Sequence, residues 1–251
     1  MSLVLIGLGL FDEKDLTMRA IEESKKADKL YIELYTSKWY GSIENLEKII
    51  GKKVVELKRK DLEENSNVII NESKTQNIVI FIQGDPLVQT VHIALLYEAK
   101  LLGIKTKVVH NASIISALGE TGFHLNKFGP FVTIPFPERT KGKLPDSVFQ
   151  TIKENKKRGL HTLCLLDVIV EENRYMTVNE GLEVLLKGKV IKKDEKAIIL
   201  TKVGAEDSLV LYHNLSNIMK QNISDIPAAI VVPGKLYFTE NEYLNSLNTN
   251  K

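Results

Sequence analysis

Ile78-Val79-Ile80-Phe81-Ile82-Gln83-Gly84-Asp85-Pro86-Leu87-Val88 is the stretch on which the fold turns. Five successive apolar residues, all β-branched or aromatic, predict a strand. An unbroken apolar run, unlike an alternating one, fits a strand covered on both faces. Gly84 permits a turn, and Pro86 suits the first turn of a helix. A helix is expected over Val88–Leu102, then a strand over Thr106–Val109. Upstream, strands are expected at Leu3–Leu8, Leu30–Leu34 and Val54–Leu57. Helices are expected at Leu16–Ala27, Ile43–Ile50 and Asp61–Glu72. Strands alternating with helices at this spacing predict right-handed βαβ units. The result is an α/β fold whose parallel sheet carries helices on both faces.

Beyond about residue 112 the rhythm loosens. A strand-like run, Phe131–Pro137, is closed by prolines, and helix Asp146–Lys157 leads through Gly159 into a strong strand, Thr162–Val168. A helix near Val178–Leu186, a strand at Ala197–Val203, a helix near Leu215–Met219 and a strand at Ala228–Val232 follow. Longer connections and varied spacing predict a second α/β domain with a mixed sheet. The expected division is 1–112 and 113–251, with the boundary near Asn111–Ser113. The Asn- and Lys-rich tail from Asn245 reads as frayed.

The 251 residues can bury a sizeable core, and 43% hydrophobic with 26% charged residues is ordinary for a globular protein. A formal net charge of +2 with dispersed lysines gives no electrostatic footprint for direct nucleic-acid binding. The single cysteine, Cys164, lies in an apolar run and reads as a buried small hydrophobe in a reducing compartment. The five histidines show no metal-ligand spacing, so no metal is expected. No apolar run approaches the roughly 18 residues of a membrane span. No basic leader precedes the apolar opening, and Asp12-Glu13-Lys14-Asp15 follows it. The reading is a soluble, cytoplasmic protein.

Three segments gather at the carboxyl ends of the expected strands, where open α/β sheets bind ligands. The first is Ile6-Gly7-Leu8-Gly9-Leu10, whose glycines allow positive φ and close approach of a ligand. A dinucleotide fingerprint would need glycine at position 12, which is Asp12. By itself the segment is equally a plain turn and a ligand edge. The second is Gly84-Asp85-Pro86-Leu87-Val88, which also reads as an ordinary helix-starting turn. The third is His110-Asn111-Ala112-Ser113-Ile114, where Ser113 caps a helix or offers its hydroxyl to a ligand. His110 reads first as a structural residue. Tyr35-Thr36-Ser37-Lys38-Trp39-Tyr40 is either a substrate-facing loop or a loop packed by its own aromatics.

These segments, taken in order, resemble the diphthine synthases of the wider tetrapyrrole methylase family. The resemblance extends through Glu33-Leu34-Tyr35-Thr36-Ser37, Thr90, His92 and Lys127-Phe128-Gly129. It continues through Gly159-Leu160-His161, Leu166-Asp167, Tyr175-Met176-Thr177-Val178-Asn179-Glu180 and Val232-Pro233-Gly234-Lys235-Leu236. It covers residues 3 to about 244. It implies a tetrapyrrole methylase-like pair of domains with S-adenosylmethionine in the cleft between them, and a homodimer. It also implies methylation of the amine of the 3-amino-3-carboxypropyl-modified histidine of translation elongation factor 2, giving diphthine and S-adenosylhomocysteine. Carried over by position, the implied cofactor contacts are Leu10, Asp85, Val88, Ser113, Ile114, Leu166, Val203 and Ala228. Ala228 stands where the family often has histidine, so only a backbone contact is carried over there. The family's longer eukaryotic form has an insertion between Asp167 and Tyr175. This chain lacks it and so resembles the shorter archaeal form, which stops at the trimethylated amine.

The mechanism expected on that basis is in-line transfer to an unprotonated amine, achieved by positioning rather than by a nucleophilic side chain. Asp85, His110 and water are candidate proton acceptors, and no general base is assigned. A tetrapyrrole methyltransferase and a non-catalytic S-adenosylmethionine-binding protein of the translation machinery remain the competing readings.

Overall fold

In the computed structural model, which describes residues 1–247, the chain divides into two units, one of Met1–Ala117 and one from Leu118 onward. The first runs β1 (Ser2–Gly7), α1 (Met18–Lys26), β2 (Lys29–Glu33), α2 (Ile43–Ile50), β3 (Val54–Leu57), α3 (Arg59–Glu63) and α4 (Ser66–Glu72). It ends with β4 (Asn77–Ile82), α5 (Ile93–Leu101), β5 (Lys105–Val109) and the short α6 (Ile114–Ala117). Its five strands are all parallel, in the order β3-β2-β4-β1-β5.

Why these runs become central strands is visible in the packing. Val4, Ile6, Leu8, Val79 and Phe81 form one core with Ala20 of α1 and Leu46 and Ile50 of α2. The alternate residues Leu3, Leu5, Ile78, Ile80 and Ile82, which point the other way, have no exposed surface either. Both faces of β1 and β4 are therefore dry, which accounts for the continuous apolar reading. The connection from β1 leads across β4 to β2, whereas that from β4 leads across β1 to β5. Neighbouring strands whose connections part in opposite directions leave a crevice at their carboxyl ends.

Two helices differ from expectation. The helix predicted from Val88 starts only at Ile93, because Pro86–His92 forms a turn-rich loop in which Gln89 takes a positive φ of 57°. Asp61–Glu72 is two helices, broken at Glu64-Asn65.

The second unit contains β6 (Val132–Ile134), α7 (Asp146–Lys157), β7 (Thr162–Leu166), β8 (Val168–Ile169), β9 (Arg174–Tyr175) and α8 (Val178–Lys187). It continues with β10 (Lys196–Thr201), β11 (Leu209–Asn214), α9 (Leu215–Lys220), β12 (Ala228–Val232) and α10 (Phe238–Leu247). Its main sheet, β11-β10-β12-β7-β6, is mixed: β6 and β7 are parallel and the other pairs antiparallel. The single strand expected over Thr162–Val168 is interrupted at Asp167. That carboxylate accepts the backbone N–H groups of Phe136 and Val168, both at 2.9 Å, and β8 then pairs with β9 instead. Cys164 lies in the apolar core with Ile134, Phe136, Ile152 and Leu182, and burial pushes its thiol pKa up, away from nucleophilic use. Strand β11 and helix α10 were not predicted. Asn245–Leu247, read as part of a frayed tail, complete α10, and the rest of that tail lies outside the described residues.

Candidate functional site

At the carboxyl edge of the first sheet, three turns are tied to one another rather than standing separately. Gly9 and Gly84 exchange backbone hydrogen bonds, with Gly9 N–H donating to Gly84 O at 3.2 Å and Gly84 N–H to Gly9 O at 3.0 Å. The third turn joins them through Asn111, whose Nδ2 donates to the carbonyls of Gly7 and Asp15, each at 3.0 Å. Asp15 Oδ2 in turn accepts the N–H groups of Leu10 (2.9 Å) and Phe11 (2.7 Å), which fixes the backbone at the implied cofactor contact Leu10.

The glycines are required by this closure. A Cβ on Gly7 would stand 2.5 Å from Gly84 O and 2.8 Å from Asn111 Cβ, and one on Gly9 (φ 88°) would meet Asp15 Cβ at 2.4 Å. The close approach anticipated for a ligand is thus made first by the protein's own turns. Gly84, at φ 69°, lets the chain bend sharply out of β4, and the place of its absent side chain faces Ser113 Cβ at 3.5 Å.

Asp85 links the second turn to the third. Oδ2 faces His110 Nδ1 at 2.8 Å and accepts Asn111 N–H at 3.2 Å, while Oδ1 accepts Leu87 N–H at 3.0 Å. The carboxylate is buried, whereas the His110 side chain is largely exposed. Half-buried Leu10, Val88 and Ile114 surround this edge with apolar surface, and Ser113 is buried beside Gly84. Asp85, Ser113 and their apolar neighbours are thus brought to one edge from three separate stretches of sequence. A carboxylate, a serine and branched aliphatic side chains suit a ligand that combines polar groups with an apolar part.

The second unit places its own three implied contacts at one end of its sheet. Leu166 ends β7, and Ala228 begins β12, whose next residue pairs with Leu165. Thr201 pairs with Ala228, and Val203 follows two residues later. Three strands distant in sequence therefore deliver Leu166, Val203 and Ala228 to a common edge.

Other segments of the family pattern have structural explanations. Thr177 and Glu180 form a capping box at the start of α8: Glu180 N–H donates to Thr177 Oγ1 at 3.3 Å, and Thr177 N–H to Glu180 Oε2 at 2.7 Å. Lys127, His161 and Gly234 meet around Glu240 of α10. Lys127 Nζ lies 2.7 Å from Glu240 Oε2, His161 Nε2 lies 3.2 Å from Oε1, and Gly234 N–H donates to His161 Nδ1 at 2.9 Å. Among the described residues no three His, Cys, Asp or Glu side chains gather as a metal site, and no helix is long and apolar enough to cross a membrane.

The sequence reading gave Glu33 and His92 no role of their own. Both are buried at the same strand edge, with Glu33 Oε1 3.9 Å from His92 Nε2. An ionisable residue inside the apolar run Leu30–Leu34 is the signal that could have singled out Glu33.

Residues 2–218 match the tetrapyrrole (corrin/porphyrin) methylases. Diphthine synthase of Methanocaldococcus jannaschii is 41% identical, the match covering 99% of each chain. That of Methanococcus aeolicus is 40% identical over 99% of this chain and 98% of the relative. A crystal structure of diphthine synthase superposes with a TM-score of 0.89 at 36% identity, covering 98% of this chain and 95% of that one. The chain belongs to the diphthine synthase family. It is a methyltransferase, and its two-sheet α/β architecture is the family's. The likeness runs through both units.

Proposed function

We propose that this chain binds S-adenosylmethionine and methylates the amine of the 3-amino-3-carboxypropyl-modified histidine of translation elongation factor 2, yielding diphthine in the cytoplasm. The observation that carries the reading is the convergence of three locked turns on Asp85 and Ser113, in a chain full-length similar to diphthine synthases. The cofactor contacts proposed are Leu10, Asp85, Val88, Ser113 and Ile114, with Leu166, Val203 and Ala228 of the second unit. Once bound, the cofactor supplies a methyl group already activated on a sulfonium. The protein's work is to hold that methyl and the acceptor nitrogen about 3–3.5 Å apart in line. Asp85 offers negative charge to a cationic ligand and keeps the turns in register. Already engaged by three partners, its carboxylate is poorly placed as the proton acceptor.

The proposed assembly is a homodimer. Ile93, Tyr97 and Leu101 recur every fourth residue on α5 and are all exposed, with Val91 and Leu102 at its ends. Such a stripe marks an association surface.

Transfer of labelled methyl groups to elongation factor 2 carrying the unmethylated side chain tests the function. Label found instead on a tetrapyrrole, or donor binding without any transfer, would sink it. For the site, Asp85→Asn is expected to weaken binding of S-adenosylhomocysteine by about ten- to a hundredfold, since one charge-assisted contact is worth roughly 1.5–3 kcal/mol. Isothermal titration measures this, and an unchanged Kd removes Asp85 from the site.

A further inference from the structure

The end of β2 holds an arrangement that the cofactor site does not use. Glu33 is wholly buried, and its register partner across β2 and β4 is Ile82, three residues before Asp85. Its Oε1 accepts the hydroxyl of Thr36 at 2.9 Å, and its Oε2 accepts Tyr35 N–H at 3.2 Å. Thr36 is only partly buried, so it stands between the buried carboxylate and the outside. The loop carrying it is fastened to β4 by Gln83, whose Nε2 donates to Lys38 O at 2.6 Å. On the other side His92 is buried, its Nε2 3.9 Å from Glu33 Oε1.

We propose that Thr36 and Glu33 form the proton relay of the methyl transfer, with Thr36 meeting the acceptor amine and Glu33 storing its proton. The inference rests on the amine-methylating function proposed above. The substrate ammonium gives an N–H proton to Thr36 Oγ1 as the hydroxyl proton of Thr36 passes to Glu33 Oε1. The freed nitrogen lone pair then forms the N–C bond while the S–C bond breaks, and that electron pair stays on sulfur. Each methyl addition begins from an ammonium, so the relay must recharge by losing its proton before each transfer.

The surroundings of Glu33 suit proton storage. Burial raises its carboxyl to about 7, against the opposing effects of the Thr36 and Tyr35 hydrogen bonds and the Arg59 charge. Arg59 also stacks over the Tyr35 ring, with Glu63 and Asp61 of α3 nearby. Burial lowers the His92 pKa, so a neutral imidazole faces the carboxyl group and does not fix it in the charged form. Proton acceptors with pKa values near the working pH are the effective ones.

Single-turnover methyl transfer against pH, with Thr36→Val, Thr36→Ser and Glu33→Gln, tests the relay. Thr36→Val is expected to lose about 10²-fold or more of the rate, as removal of general-base assistance does. Thr36→Ser should keep most of the rate, and all three should bind S-adenosylhomocysteine like the parent. Glu33→Gln should lose the inflection near neutral pH. Independently of turnover, infrared difference spectra should show a carboxylic acid C=O band that titrates near neutrality and disappears in Glu33→Gln. Thr36→Val at the parent rate, or an infrared band unaffected by Glu33→Gln, would overturn the proposal. If Glu33→Gln does not fold, the Thr36 pair still decides. Failure of the parent itself to transfer methyl groups would instead strike the underlying function.

Discussion

Gly7 shows how a single position can be decided by what surrounds it. Its φ is not in the left-handed region, so backbone freedom is not its reason for being glycine. The reason is the Gly84 carbonyl and the Asn111 side chain, both closer than any Cβ tolerates. Gly7→Ala must therefore push backbone against backbone, and a loss of about 1–3 kcal/mol is expected from the overpacking. Urea unfolding measures it, and a midpoint unchanged from the parent would contradict the closure described. Gly9 and Gly84 differ in kind, because both need positive φ and both carry the paired backbone bonds. The sequence displays three glycines at strand ends, and only coordinates separate close packing from backbone conformation. Asp85 follows the same pattern. Its position after a buried strand was readable, but its bonds to His110 and Asn111 cross 25 and 26 residues.

Helix α10 illustrates the same point for an element. Its sequence, Phe238-Thr239-Glu240-Asn241-Glu242-Tyr243-Leu244, is weakly patterned, and tertiary contacts hold it. Glu240 and His161 have no exposed surface, and Lys127 very little. Burial pushes the Glu240 carboxyl up, but Lys127, the Tyr237 and His124 N–H groups and His161 outweigh it, holding the pKa at about 2. A carboxyl depressed from 4.5 contributes stability that is complete above 4.5 and fades as pH falls toward 2. Glu240→Gln should therefore cost roughly 3 kcal/mol at pH 7, the scale for breaking a buried ion pair. The cost should shrink steadily below pH 4.5. Denaturant unfolding of both proteins at pH 7 and pH 3 checks this, and an equal loss at the two values would refute it. His161 acts in the same direction. Burial lowers its pKa, so acid favours the unfolded chain, in which the imidazole protonates more readily. The late start of α5 has a comparable cause. Asp85 is held back by the β5 turn, and the chain needs the Pro86–His92 loop, with Thr90 Oγ1 donating to Pro86 O at 2.7 Å, before it can wind.

For the molecule as a whole, the exposed α5 stripe supports the proposed homodimer. Tyr97→Glu with Leu101→Glu is expected to shift the protein to monomer in sedimentation velocity. A dimer unaffected by both charges would place the interface elsewhere. The alternation of apolar runs with amphipathic stretches by itself determined the parallel first sheet, its strand order in sequence and the edge at which the ligand site is proposed. That much is legible because burial on both faces demands unbroken apolar strands, and right-handed crossovers put their carboxyl ends on one side. The family was legible too, since its motifs are ordered along the chain. Only the tertiary structure revealed β11, the break at Asp167, the Gly9–Gly84 pairing and the relation of Glu33 to Thr36 and His92. Each of these depends on hydrogen bonds or burial set by partners remote in sequence, or on turns whose geometry is fixed only once the sheet has assembled.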